Sequence, residues 1–290
     1  MAGVGLELFR CPRCRGKVAQ APSGFRCSAC ARDFAVSRGL PDFFIVPPGE
    51  DDARDANLVW ERPEVVEARD TLYRLCHREL RGMVCCMAEI GRRTAAGSRI
   101  LEVGSGTGHF TRWLSESVHP EATIYAFDRS WPMLERTRAQ VEGRANVVLF
   151  RANARGVLPF APGSFDVVFV RLTPLGARGV PAVRAAFELL RPGGWYVDAA
   201  WSRERYATPP ARWATEHGFE TAEERTWCYP RLRSEEEYVA SLIDGPRRPY
   251  EYVDLERARA FARAERARHG PRAGIPVIIE ESLLIAHRAG

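Results

Sequence analysis

Between residues 99 and 200, short apolar runs alternate with amphipathic stretches, and no other feature of the chain restricts its fold as much. The runs are Arg99–Val103, Ala122–Phe127, Asn146–Phe150, Phe165–Val170 and Trp195–Ala200. Helical patterns fall at 109–118, 131–142 and 180–190, with a turn at Arg191-Pro-Gly-Gly194. Strands apolar along their whole length are buried on both faces, which βαβ units achieve by placing helices on either side of a parallel sheet. Beyond residue 200 the pattern predicts a helix over 208–217, a sixth strand over 221–232, helices over 234–243 and 253–268, and a last strand over 275–287.

The N-terminal sixth is different in kind. Cys11-Pro-Arg-Cys14 and Cys27-Ser-Ala-Cys30 are two C-x-x-C knuckles separated by twelve residues. Each knuckle presents two thiolates, and two knuckles on facing hairpins complete the tetrahedral sulfur shell that suits Zn²⁺. With no position open to water, such a zinc is structural. In a segment with almost no core, the metal is expected to supply most of the folding free energy. Redox pairs are disfavoured, since no βαβ pattern surrounds them. Cys76, Cys85, Cys86 and Cys228 read as small buried hydrophobes.

Residues 1–46 carry seven basic side chains (Arg10, Arg13, Arg15, Lys17, Arg26, Arg32, Arg38) against three acidic ones, a surplus that can attract phosphates or an acidic surface. Lys17 is the only lysine among the 42 basic residues, a bias that a high-GC genome explains. Residues 47–57 are a polar, acidic linker. Residues 62–93 form a helical lead-in, with Val65, Val66, Leu72, Leu75, Leu80, Val84 and Met87 at helical spacing. No apolar run reaches the roughly 18–20 residues of a membrane span. No basic-then-apolar leader opens the sequence, so the expected location is the cytoplasm, away from membranes.

The first strand runs into Glu102-Val-Gly104-Ser105-Gly106-Thr-Gly108. Glycines let the backbone pass close beneath a ligand. The spacing is G-x-G-x-G and not the G-x-G-x-x-G of dinucleotide sites, and Glu102 would repel a pyrophosphate, so a cationic ligand without phosphate fits better. Asp128, at the end of the second strand, stands where a carboxylate can accept ribose hydroxyls.

The segments ILEVGSGTGHF, YAFDRSWPMLERTRA, ANARGVLPFAPGSFDVVFV and LLRPGGWYVD, spanning about 97–200, together resemble the class I S-adenosylmethionine-dependent methyltransferases. The resemblance implies an α/β, Rossmann-like, doubly wound and mostly parallel seven-stranded sheet preceded by a small zinc ribbon. The domains are then 1–46 (ribbon), 47–96 (linker and helical lead-in) and 97–290 (methyltransferase domain, with 233–275 an inserted helical cap). It also implies cofactor roles. The Gly104–Gly108 loop, Ser105 included, lies under the methionine moiety, with Glu102 near its amino group. Asp128 holds the ribose beside Arg129. Ser130 or Trp131 packs by the adenine. Asn153-Ala154 stands where the family often has Asp-Ala, and Arg171 faces the methyl group or the acceptor. His109 reads as the first residue of its helix, and Asp166 as a brace for the fourth strand.

Methyl transfer from a sulfonium needs no acid for its leaving group, so positioning and desolvation supply most of the rate. Neither an N-P-P-Y motif nor a Pro-Cys nucleophile follows the fourth strand, where VRLTPLG stands. Position alone nominates Arg171, Tyr206, His217 and Tyr229 as catalytic candidates. The first reading of the acceptor is a small molecule, such as a specialised metabolite, sealed under the 233–275 cap. An alternative comes from the ribbon-plus-methyltransferase order, which resembles the bacterial ribosomal-RNA guanine-N1 methyltransferases and makes RNA a candidate partner through the basic ribbon. This ribbon, however, closes on Cys30 and not on the histidine of that family. Its ending is more similar to the small zinc-ribbon activator subunits of tRNA and translation-factor methyltransferases, or to similar ribbons fused to bacterial methyltransferases of unassigned substrate. A third reading is a non-catalytic module that merely retains S-adenosylmethionine.

Overall fold

The structure, a computed structural model, describes residues 6–46, 56–171, 186–200, 210–244, 253–270 and 274–290. Its large sheet is built from β5 (Arg99–Val103), β6 (Thr123–Asp128), β7 (Val147–Arg151), β8 (Phe165–Arg171), β9 (Leu190–Ala200), β10 (Thr221–Arg233) and β11 (Ile275–His287). The spatial order is β10-β11-β9-β8-β5-β6-β7. The strands from β5 to β9 pair in parallel, whereas β11 runs antiparallel to both β9 and β10. Parallel pairing follows from the helical crossovers, and the order reverses beside β5, the position at which such sheets bind ligands.

Two expectations are corrected in detail. The lead-in is two helices, α1 (Pro63–Cys76) and α2 (Arg81–Arg92), rather than one stretch. The His77 backbone N–H and ring Nδ1 both converge on the Tyr73 carbonyl, and Leu80 turns extended with its side chain wholly buried. A capping histidine and a buried leucine stop the helix without glycine or proline. The Arg191–Gly194 turn sits inside β9: the partners jump from Phe165–Leu190 to Val167–Trp195, leaving the four residues as a bulge.

The ribbon folds as four short antiparallel strands, β1 (Val18–Ala21), β2 (Gly24–Cys27), β3 (Asp33–Ser37) and β4 (Leu40–Pro41). Arg15 and Ala31, each just past a cysteine knuckle, take left-handed φ of 61° and 55°, and Arg38-Gly39 turns β3 into β4. The expectation of almost no core does not hold. Phe9, Phe25, Phe34 and Phe43 are buried in one cluster with Tyr125, Phe127, Phe150, Phe160 and Phe165 of the sheet domain. Phe9 stacks on Phe43 at 4.7 Å and on Phe160 at 5.1 Å, and meets Phe150 edge-on at 5.2 Å. The Arg10 N–H donates to Pro159 O and the Phe43 N–H to Arg151 O. No helix lies between β7 and β8, so the ribbon covers this part of the sheet face. On the opposite face α1, α2 and α3 (His109–Ser117) pack against Ile100, Ile124, Val167 and Phe169.

This shared core predicts that Phe9→Ala destabilises the whole molecule and not the ribbon alone, by about 3–5 kcal/mol for a fully buried phenylalanine. Chemical denaturation followed by tryptophan fluorescence should show one transition moved to lower denaturant. An early ribbon-only transition, with the main one in place, would contradict a common core.

Candidate active site

The β5 strand ends where the chain must turn under the sheet edge, and Gly104, Gly106 and Gly108 do so with φ of 78°, 57° and 84°. At Gly108 a Cβ would stand 2.5 Å from Thr137 Cα, so any side chain there collides with backbone. Thr137 belongs to α4 (Trp131–Gln140). Its Oγ1 donates to Gly106 O at 2.8 Å and lies 3.1 Å from Ser105 Oγ, which ties the loop to that helix. Asp128 completes the turn: one carboxylate oxygen accepts the Gly106 N–H at 2.9 Å and the other the Ser130 N–H at 3.0 Å. Ser130 caps α4 by accepting from the Met133 N–H, and its hydroxyl donates to Trp60 O.

Glu102 and Asp128 flank the loop. Burial pushes the Glu102 carboxyl up to about 7; the Thr111 hydroxyl opposes that shift and the Asp128 charge adds to it. Burial also raises Asp128, against hydrogen bonds from the Ser130 and Gly106 amides and the charge of Arg69. A buried acid, Glu102, beside the half-buried Asp128 forms a site that a cation would relieve.

The structure also places residues beside the loop that no motif announces. The Arg69 side chain, on α1, would lie 3.8 Å from a Cβ at Gly106. It donates to Asp244 at 2.6 Å and stacks 4.1 Å over Trp60. Asp244 ends α6 (Glu235–Asp244), which follows α5 (Pro210–Glu216) and with α7 (Leu255–His269) lies in the 233–275 segment. Asp70 pairs with His109 at 3.1 Å. Burial raises the Asp70 carboxyl, but the hydrogen bond and charge of His109 outweigh that and hold it below its usual value. These residues reach the loop only through tertiary packing of the lead-in, so a local reading could not have found them.

The remaining sequence candidates separate. Arg171, ending β8, stacks 4.0 Å over Phe110 and donates to Tyr73 Oη at 3.2 Å. Trp131 opens α4 with the Arg151 guanidinium 5.1 Å and the Arg38 guanidinium 5.3 Å from its ring. The Asn153 amide donates to Ile45 O at 3.4 Å and accepts from Arg155 N–H at 3.0 Å. Ala154 packs against the ribbon-side core, and the Arg129 carbonyl accepts from Arg151. Tyr229 is not placed to react. It is buried, donates to Glu281 at 2.7 Å and accepts from the Arg81 N–H, clamping α2 onto the β10–β11 hairpin. His217 lies at the far end of the sheet. It precedes Thr221, which is opposite His287, and His287 is opposite Trp195 and not the Ala199–Ala200 end beside the loop. Tyr206 lies outside the described residues. Asp166 accepts from the Arg99 N–H and braces β5 against β8.

The four cysteine sulfurs, Cys11, Cys14, Cys27 and Cys30, lie within 4.8 Å of one another. Cys11–Cys30 are 3.7 Å apart and Cys14–Cys27 3.4 Å, close to the about 3.8 Å edge of a zinc–thiolate tetrahedron. All four donors are sulfur, so the set fits zinc. Purified chain should hold one zinc, and metal analysis finding none would refute the site.

Residues 100–194 match the family described as methyltransferase domain. Curated relatives include demethylmenaquinone methyltransferase of Lactococcus lactis, 38% identical over 107 residues, covering 35% of this chain and 41% of that one. Another is malonyl-[acyl-carrier protein] O-methyltransferase of Xylella fastidiosa, 37% identical over 101 residues, 33% of this chain and 32% of that one. The chain thus spans about two fifths or less of these relatives' length. Among solved structures, the YcgJ protein from Bacillus subtilis aligns at TM-score 0.52 with 15% identity, covering 72% of this chain and 98% of that one. Phosphoethanolamine N-methyltransferase 2 of Haemonchus contortus, solved with S-adenosyl-L-methionine, aligns at 0.56 with 15% identity, covering 86% and 62%. The fold is that of the class I methyltransferases, and the chain carries a methyltransferase domain.

The residues present fit the donor of that class. Glu102 Oε2 and Thr107 Oγ1 are buried beside the loop without a hydrogen-bond partner among the described residues, as acceptors for an ammonium or a polar ligand atom. Glu102 also gives a pH signature. Its folded value near 7 lies above its ordinary 4.5, so between these the folded chain keeps a proton the unfolded chain has lost, and stability falls as pH rises through that window. A ligand placing a cation on the ionised form releases that proton. Donor affinity should therefore rise about tenfold from pH 5.5 to 7, with proton release seen by calorimetry in buffers of different ionisation heat. A pH-independent affinity, or an unchanged slope in Glu102→Gln, would refute this role.

Proposed function

We propose that the chain transfers a methyl group from S-adenosylmethionine to a small-molecule acceptor, such as a specialised metabolite, in the cytoplasm. The observation that carries this reading is the pair of acids, buried Glu102 and half-buried Asp128, around a loop of three left-handed glycines. When bound, the sulfonium donor supplies an electrophilic methyl carbon and a neutral thioether leaving group. Glu102 would hold its ammonium end, the Gly104–Gly108 loop its amino-acid chain, and Asp128 its ribose hydroxyls. Arg129, Trp131, Asn153 and Ala154 would border the adenine. Arg171, with Tyr73 and Phe110, would face the acceptor. The remaining work is alignment and exclusion of water. That work falls to α1 and α6, which the Arg69–Asp244 pair ties together over the loop.

The small-molecule reading draws support from the two curated relatives, whose names place their methyl groups on demethylmenaquinone and on a malonyl group. It draws further support from the ribbon. Although its basic side chains are exposed, Arg15, Arg26 and Arg38 are paired with Glu188, Asp33 and Glu135. Purified chain with tritiated-methyl S-adenosylmethionine should label a small-molecule extract and leave total RNA unlabelled, and Gly106→Arg should abolish donor binding and labelling together. Label in RNA, lost as salt rises, would favour the RNA reading. Donor binding without transfer to either pool would favour the non-catalytic module.

A further inference from the structure

Resting on the donor reading above, we propose that the tail of the zinc ribbon, residues 42–46, together with Arg38, is a structural wall of the donor site on its adenine side. The ribbon would then be a positioning element for the cofactor.

The contacts converge on the residues that border the adenine. The tail runs along the outer edge of the sheet, where Asp42 bridges Arg151 in β7 and the Phe43 N–H donates to Arg151 O at 2.9 Å. Arg151 is the hub. Its guanidinium lies 4.2 Å from the Phe44 ring and 5.1 Å from the Trp131 ring, its Nε donates to Arg129 O at 2.8 Å, and Asp42 pairs with it at 3.4 Å. An arginine of the ribbon, Arg38, reaches the same tryptophan at 5.3 Å and is fixed by Glu135 on α4. The ribbon therefore meets the Trp131 ring directly through Arg38, and through Asp42 and Phe44 it braces the Arg151 guanidinium that lies by Trp131 and donates to the Arg129 carbonyl. Both residues are in the segment directly after Asp128.

Asn153 gives an independent sign. The family pattern often places aspartate here. This chain has an asparagine whose Nδ2 donates to Ile45 O of the tail, while Oδ1 caps the Arg155 N–H. A carboxylate could make the second contact but not the first, because it would set one acceptor against another. Asparagine at 153 thus makes a contact with the ribbon tail that aspartate could not. The side chain of Asn153 is 5% exposed, so an unmade bond there could not be replaced by bulk water.

The test is donor-side binding, measured by calorimetry on full-length, zinc-loaded protein at a temperature well below its unfolding. The probes are S-adenosylhomocysteine and 5′-methylthioadenosine, which share the 5′-thioadenosine half and differ in the amino-acid chain. Phe44→Ala and the exposed Arg38→Ala should each weaken both probes by the same factor, about three- to tenfold for a lost aromatic–guanidinium contact. Asn153→Asp should do likewise, and Phe44→Trp should restore binding. Arg38→Ala, a surface change, keeps the test open if Phe44→Ala does not fold. Unchanged affinity for both probes in Phe44→Ala and Arg38→Ala, with wild type binding normally, would overturn the proposal. So would a loss confined to S-adenosylhomocysteine. Wild type that binds neither probe would refute the donor reading instead.

Discussion

A seven-stranded sheet with apolar strands has two faces to cover, and this chain provides no crossover helix between β7 and β8. The loop joining them carries just two large side chains, Leu158 and Phe160, into the core. What closes that face is the ribbon, which inserts Phe9, Phe25, Phe34 and Phe43. Aromatic rings suit a gap of this kind, since each buries a large area and pairs edge-on or offset with its neighbours. Once the ribbon lies there, its exit must run along β7, and that route brings Asp42, Phe44 and Ile45 to the end of the sheet where the ligand loop turns. The place of the metal knuckles, the asparagine at 153 and the border of the site all follow from one missing helix.

Much of this was readable from the chain. Strands, the glycine loop, Asp128 and the four cysteines announce themselves because their signals are local: periodicity, φ > 0 turns, ligand spacing. Arg69, Asp70 and Tyr73 do not, because on α1 they look like the ordinary polar and apolar positions of an amphipathic helix, and Trp60 stands in the short turn of helix before it. They become site residues only when α1 is laid across the Gly104–Gly108 loop. Tyr229 misleads for the opposite reason. A tyrosine on a late strand invites a catalytic role, yet its hydroxyl is consumed by Glu281 and the Arg81 amide. The ribbon's core was invisible because its phenylalanines, few enough to touch only one another within residues 1–46, complete their packing in β6, β7 and the loop after β7.

The charges near the site are arranged with a common logic. Glu102 and Asp128 are both raised by burial, and their proximity raises Glu102 further, so each is costly to ionise until a cation arrives. Arg69 is the nearest candidate to neutralise them, but its Nε is committed to Asp244. A buried ion pair adds little net stability, because desolvation offsets most of the attraction. Its value here is geometric: it fixes α6 over α1 with an angular precision that apolar contact alone does not impose. Arg74–Glu236 and Arg231–Glu237 repeat the connection from α1 and β10 to the same helix.

Arginine supplies 41 of the 42 basic side chains, since Lys17 is the only lysine. A high-GC genome would produce this bias, and the fold makes use of what a guanidinium can do and an ammonium cannot. Arg69 stacks on Trp60, Arg151 on Phe44 and Arg171 on Phe110, at 4.1, 4.2 and 4.0 Å, and each donates a hydrogen bond in addition to its stack. A planar, delocalised cation can lie flat on a ring and still direct its N–H groups sideways at a carboxylate, a carbonyl or a phenol. Lysine in the same places would give up one contact or the other. Three stacked arginines at three corners of the site, one on the lead-in, one on β7 and one on β8, thereby join elements distant in sequence into a single rigid border.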